Sequence, residues 1–369
     1  MGLGYNGWAP TIDREMYPWA DRILPISSDG SLGSRFGQQQ IGDVLEYSKA
    51  DVVISALDIW MIEYLSRPEK YAGSIPQKAF DLLDRNKRKF THIAYFPLDG
   101  AVEGKYLPQN LVEAVGGIDV PITYSRFAQK VLRDDYNLDV PFIPIAHDPE
   151  VYCPADRAAA REEMGLPADK FIVGMIGTNQ YRKLYGDFFT ATIPFAKAHE
   201  DVAVLPWTSW ATLIAGGTQV DDLVWRSGIE KQVINPGNLL HTLSDKGMSK
   251  VYQSMDVLVL CTVGEGAGLP PIRARACGIP ALVSDNTSNT EFASCEFELI
   301  PNRDKFFDPF GGNFERYLTN TDVLYERLEK LYADAEMRET FRTVGPASTK
   351  EYEIGTVLPQ WDSLLEQVA

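Results

Sequence analysis

Residues 256–285 read DVLVLCTVGEGAGLPPIRARACGIPALVSD, and this stretch decides the fold. Its opening, 256–261, is a short apolar run behind Asp256, the form taken by a strand buried in a parallel sheet. Gly264, Gly266 and Gly268 then punctuate a turn, interleaved with Glu265, Ala267 and Leu269. Pro270 and Pro271 follow, where proline is tolerated because the first N–H groups of a helix have no partner within it. The order is therefore strand, glycine loop, helix. Such a loop aims unpaired N–H groups and the positive end of a helix dipole at one spot, which suits phosphate. The same glycines would also serve an ordinary tight turn. Glu265 inside the loop favours a ligand that adds hydroxyls, because a carboxylate accepts hydrogen bonds from a polyol.

Outward from this stretch the alternation repeats. Apolar runs at 22–26, 51–55, 92–96, 120–124 and 142–145 are predicted strands, with amphipathic stretches at 36–47, 76–90 and 125–134 between them. The second half repeats the pattern at 171–176, 202–205, 232–234, 257–261, 281–283 and 298–300. This predicts an α/β protein with parallel sheets covered on both faces. A chain of 369 residues exceeds the comfortable size of one core, so two doubly wound domains are expected, with ligands at the carboxyl ends of the strands. The boundary is placed in PIAHDPEVYCP (144–154), which has three prolines and no helical period. Asp148 there reads as a turn or capping residue and His147 as a structural histidine.

The formal charge of −16 disfavours a broad polyanion-binding surface while permitting a local basic pocket. No run approaches the roughly 18–20 apolar residues of a membrane span, and no signal peptide is visible. Cys153, Cys261, Cys277 and Cys295 lack Cys-x-x-Cys spacing. Reduced thiols in a cytoplasmic protein are expected, with no disulfide framework and no metal site.

GEGAGLPPIRARACGIPALVSD resembles the donor-site signature of the retaining glycosyltransferases of family 4 (glycosyl transferases group 1), which have the GT-B fold. Their pattern is Glu-Gly-Phe-Gly-Leu-Pro, a second Glu eight positions after the first, then Ala-Cys-Gly-x-Pro and Ser-Asp. Glu265, Gly266, Gly268, Leu269, Pro270, Ala276, Cys277, Gly278, Pro280, Ser284 and Asp285 match it. The resemblance implies two Rossmann-like domains facing a cleft, 1–146 plus a returning C-terminal helix at 350–369, and 147–349. In relatives a first strand, glycine loop and helix precede a segment like GLGYNGWAP, so this chain is expected to open at the family's second strand, about one βα unit short.

The resemblance also distributes roles. Glu265 would contact the donor sugar, and Gly264, Gly266, Ala267, Gly268 and Leu269 would cradle its diphosphate. In the loop Gly177-Thr178-Asn179-Gln180-Tyr181-Arg182-Lys183, the family supplies an Arg and, five residues on, a Lys to that diphosphate. Lys183 aligns with the Lys, but Thr178 stands at the Arg position. Arg182 could substitute, although its neighbour's role implies that its side chain points elsewhere. The second departure is Arg273, where the family's second Glu grips ribose hydroxyls. An Arg cannot accept those bonds, so it meets either a phosphate or a decayed pocket. Asn235 and Gly237 fall where relatives hold the base by backbone groups. Asn286, Thr287 and Ser288 read equally as donor-loop lining or as turn-formers.

In the first half, Asp99 and Asp58 end predicted strands and face the cleft in this architecture. Asp99 is the candidate there for substrate contact or proton handling, against a loop-capping role. Ser125 reads as an N-cap, with Arg126 beside it able to reach the cleft. The resemblance implies transfer from a nucleotide-sugar, UDP- or GDP-linked, with no cofactor or metal required. The acceptor is open: glycan, protein, small molecule or modified base. The rival reading is an inactive relative serving as a binding or partner subunit.

Overall fold

The computed structural model describes residues 2–4, 23–25, 36–100, 107–210, 216–241, 243–308 and 314–368. Two parallel sheets organise them. The strands, in chain order, are β1 Gly2–Gly4, β2 Ile23–Pro25, β3 Val52–Ala56, β4 Thr91–Phe96, β5 Val120–Thr123, β6 Phe171–Ile176, β7 Val202–Trp207, β8 Val257–Leu260, β9 Ala281–Ser284, β10 Leu299–Ile300, β11 Asn302–Phe307 and β12 Glu315–Thr319. The first sheet runs β3-β4-β5 and the second β10-β9-β8-β6-β7, all parallel.

The second sheet shows why the sequence reads as it does. Every residue of β6, β7, β8 and β9 is buried, because helices cover both faces. One face packs on Phe188, Phe189 and Phe195 of the helix Tyr185–Ala198, the other on Val251 and Ala274. Each of the four apolar side chains of β8 contributes roughly 1.5–3 kcal/mol by leaving water. Asp256, just ahead of β8, is held by Arg161 at 2.7 Å and by the Ile172 N–H at 2.8 Å. It ties the start of β8 to β6. The first sheet is covered on one face by short helices that bury Leu45, Ile62 and Leu83. On its other face lies the C-terminal helix Ile354–Val368, whose Val357 and Trp361 pack against Ile93, Ile122 and Tyr95. The Trp361 ring meets Tyr95 edge-on at 4.9 Å.

Several predicted elements differ. The run at 142–145 makes only a single bridge, Phe142 to Thr123, and 232–234 only one, Val233 to Val204. Pro141 and Pro144 deny a ladder its donors in the first case; the short helix Glu230–Gln232 takes the start of the second. The helix predicted over 76–90 spans Gln77–Leu83 and stops where the Asp84 carboxylate accepts the Asn86 N–H at 3.0 Å, a local bond that competes with helix. The one predicted over 36–47 begins at Ile41 and ends at Ser48. Ahead of β2 lies β1, paired with it in parallel. The antiparallel hairpin β11–β12 lies outside the sequence expectations.

Candidate functional site at the glycine loop

β8 ends at Leu260, and the chain turns through Thr262–Gly268 into the helix Leu269–Ala276, with prolines in its first turn. Gly268 adopts φ +51°, and a Cβ there would strike the buried Phe292 ring. The loop is locked from beneath. Thr287 Oγ1 accepts the Glu265 N–H at 2.9 Å, Ser288 Oγ donates to the Glu265 carbonyl at 2.5 Å, and Asn286 donates to the Thr262 carbonyl. The residues 286–288 are thus loop-holders.

This scaffold presents Glu265 as a buried carboxylate, 5% exposed, against the buried ammonium of Lys183, 6% exposed. Arg182 joins them, its Nη1 donating to Glu265 Oε1 at 3.0 Å and to the Gly264 carbonyl at 3.1 Å. The expectation that Arg182 points elsewhere is corrected. Residues 180–183 form a turn closed by the Lys183 N–H to the Gln180 carbonyl, so neighbouring side chains do not alternate as they would on a strand. Thr178 is exposed, and the second cation of the cluster is Arg182. Burial alone would push the Glu265 carboxyl up; the cations of Lys183 and Arg182 outweigh it and hold it at about 2. Burial pushes the Lys183 ammonium below its ordinary value against the pull of Glu265.

The first sheet meets this cluster through the segment after β4. Asp99 lies 3.9 Å from Arg182 and 3.3 Å from Arg316, which also donates to the Asp99 carbonyl. Arg316, on β12, is anchored to the buried Asp308 at 3.2 Å, and Asp308 accepts from the Tyr181 hydroxyl. Arg316 and Asp308 were missed by sequence reasoning. The paired runs flanking the proline- and glycine-bearing stretch at 308–312 carried the hairpin signal that would have found them. Ser125 caps its helix by accepting the Ala128 N–H at 3.2 Å. Arg126 reaches across to Glu351 at 2.7 Å, and Glu291 accepts the N–H of Arg126 at 2.9 Å.

Other predicted residues lie apart from the cluster. The Arg273 guanidinium sits 4.4 Å above the Tyr152 ring and 3.7 Å from Asp245, which also accepts from the Tyr152 hydroxyl at 2.9 Å. Asn235 and Gly237 form an exposed turn of their own, the Asn235 side chain accepting the Gly237 N–H. Asp148 does cap a turn, accepting the Glu150 N–H at 2.9 Å. His147 is buried, its backbone bridging Glu353. All four cysteines are free thiols. Among the described residues no three His, Cys, Asp or Glu side chains converge as metal ligands, and no helix is long and apolar enough to cross a membrane.

Beside the cluster opens a cavity of about 520 Å³ lined from both halves, including Asp58, Trp60, Asp99, Arg182 and Arg316. Asp58 is raised from 3.8 to about 6, first by burial and then by Asp99, against the pull of Arg182. The native state therefore holds this proton more tightly than the unfolded chain, and stability falls as pH rises through 3.8 to about 6. Asp58→Asn is expected to stabilise the fold by roughly 1–2 kcal/mol at pH 7.5, the full linkage value reduced by water access. The gain should vanish below about pH 4, as thermal melts across pH would show.

Residues 171–306 match the family described as Glycosyl transferases group 1. The chain is 31% identical over 161 residues to the D-inositol 3-phosphate glycosyltransferase of Mycobacteroides abscessus, covering 40% of this chain and 33% of that protein. It is 26% identical over 154 residues to the lipopolysaccharide core biosynthesis mannosyltransferase LpsB of Rhizobium meliloti, covering 40% and 42%. The chain thus spans less than half the length of these relatives. Among solved structures, sucrose-phosphate synthase from Thermosynechococcus elongatus superposes with a TM-score of 0.71 at 16% identity, over 94% of this chain and 83% of that one. Anabaena Alr3699/HepE, in complex with UDP and glucose, does so at 0.65 and 12%, over 94% and 85%. At such identities the likeness is one of fold. The chain thus has the fold of the GT-B glycosyltransferases, and its residues 171–306 are similar to the group 1 glycosyl transferases.

Proposed function

We propose that the protein transfers a hexose or related sugar from a nucleotide-sugar donor to an acceptor hydroxyl, with retention of configuration and without a metal. The observation that carries this reading is the buried Lys183–Glu265–Arg182 cluster under the glycine loop, facing the first sheet across Asp99. Charge grows on a diphosphate as the glycosidic bond breaks, and an ammonium, a guanidinium and loop N–H groups are what stabilise it. Lys183 and Arg182 take that role, with the loop 264–269 beneath. Glu265, drawn now to the two cations, is the acceptor for sugar hydroxyls once the diphosphate claims them. Retention follows if the acceptor attacks from the face the diphosphate leaves, the leaving phosphate taking the acceptor's proton. The chain's task is then to position substrates and stabilise charge.

Curated relatives are named a D-inositol 3-phosphate glycosyltransferase and a mannosyltransferase, and the Anabaena protein holds UDP and glucose; a UDP-sugar is therefore the first donor to try, with a GDP-sugar beside it. The units 1–146 with 350–369, and 147–349, would close on the donor, consistent with the cross-contacts at Asp99 and Arg126. Arg273, paired with Asp245 and stacked on Tyr152, stands as an altered ribose or phosphate contact.

Thermal melts with UDP, GDP, ADP and their sugar conjugates, each with and without EDTA, test the reading. One nucleotide class should raise the melting point in both conditions, by about 2.7 kcal/mol of added stability at a hundredfold excess over Kd. No shift with any nucleotide would return the chain to the partner-subunit reading. A shift that EDTA abolishes would refute metal independence.

A further inference from the structure

The cavity beside the cluster has two chemically distinct walls. Trp60, Leu98, Leu111 and Phe314 give it an apolar side, while Asp58 and Asp99 stand at the carboxyl ends of the strands β3 and β4. Its two cations are already occupied: Arg182 by Glu265 at 3.0 Å, and Arg316 by Asp308 at 3.2 Å. Counted with Lys183, three cations among the described residues face four carboxylates, Asp58, Asp99, Glu265 and Asp308. Asp58 has no ion pair among the described residues, and burial, then Asp99, raises its carboxyl against the pull of Arg182. An anionic group entering here meets like charge in a half-dehydrated space, where such contacts weigh most. Hydroxyls find the Asp58 carboxylate, unpaired among the described residues, and Asp99, which also faces Arg182 and Arg316; a ring face finds the Trp60 indole, itself 53% exposed.

We propose that this cavity is the acceptor subsite and that it selects an uncharged, hydroxyl-bearing ring compound over an anionic one, its hydroxyls donating to Asp58 and Asp99. The inference rests on the transfer reading above and gives the second substrate its chemistry. A matched pair of probes isolates the charge: phenyl β-D-glucoside, and phenyl β-D-glucuronide, in which the primary alcohol is replaced by a carboxylate.

Both are titrated into the whole protein saturated with UDP, following tryptophan fluorescence with Trp60→Phe as the control for the reporting ring. The glucoside should bind saturably and the glucuronide about tenfold more weakly, the scale of one like-charge contact. Asp58→Asn should bring the two within about threefold, and Asp58→Lys should reverse their order. Equal or tighter glucuronide binding to the unmodified protein overturns the proposal. So does discrimination unchanged in Asp58→Lys, or no saturable binding of either probe. The UDP-induced shift in melting point, measured on the same samples, separates the two readings. If UDP fails to bind, the transfer reading fails; if UDP binds and the probes are not discriminated, only the acceptor chemistry fails. Retention of that shift in each Asp58 variant confirms that the variant is folded.

Discussion

Glu265→Ala is expected to abolish sugar transfer, lowering turnover by about a thousandfold or more, and to destabilise the protein by about 3–5 kcal/mol. The two effects share one cause. Among the described residues, Glu265 is the one carboxylate within 3.0 Å of Arg182 and in direct contact with the buried Lys183. Its removal leaves two cations facing one another in a desolvated site, with Asp99, 3.9 Å from Arg182, as the nearest remaining counter-charge among the described residues. Lys183 has a way out: burial already depresses its ammonium, and without Glu265 it falls further and sheds its proton. The folded form then binds fewer protons than the unfolded chain, so stability of the variant should climb as pH rises toward 10.5, the ordinary lysine value.

At the acid end the unmodified protein also gains stability as pH rises, from a different group. Its Glu265 titrates at about 2 instead of 4.5. The stability this contributes is complete above 4.5 and is lost as pH falls toward 2. Urea melts from pH 3 to pH 10 should therefore show the two proteins converging at both ends and furthest apart near neutrality. Glu265→Gln separates catalysis from folding, because it keeps the volume and one acceptor oxygen. It should remain folded yet lose about a hundredfold in turnover. A Glu265→Ala protein with normal turnover would remove Glu265 from the donor site.

The loop at 264–268 and the strands around it were legible because each carries its own punctuation: a continuous apolar run, glycines, then prolines at a helix start. The fold followed from repetition of that unit. What stayed hidden depended on side chains meeting from distant parts of the chain. Arg182 looked misdirected because it stands next to Lys183, whereas a turn at 180–183 aims it at Glu265 as well. Arg316 is separated from Asp99 by 217 positions, and nothing local to either marks the meeting. The strand forecast at 142–145 failed for the converse reason: apolar residues were present, but Pro141 and Pro144 cannot donate to a ladder. Asp99 was legible as a strand-end carboxylate, while its two arginine partners were not.

Gly264→Ala should leave the protein folded and able to bind nucleotide, and should cut transfer by about a hundredfold, the loss expected when reacting groups are held about 1 Å out of place. A Cβ at this position would lie far inside contact with the Asp99 carbonyl oxygen and 2.5 Å from Arg316 Nη1. The obstacle is backbone from the other half of the chain, so a rotamer change cannot relieve it. Gly266 is equally confined, against Pro97. The cheapest relief is for the two halves to part, which breaks the Arg316 bond to the Asp99 carbonyl and the 3.9 Å approach of Arg182 to Asp99. Lys183, Glu265 and the loop all belong to one half, so the melting shift with nucleotide should survive. Acceptor and donor would no longer be presented to each other. Gly186→Ala provides the control: a Cβ there meets nothing within 4 Å, in the first turn of the helix Tyr185–Ala198. That change should leave turnover intact and stabilise by roughly 0.5–1 kcal/mol through helix propensity. Equal turnover in the two alanine variants would mean that contact between the loop and Asp99 has no part in transfer.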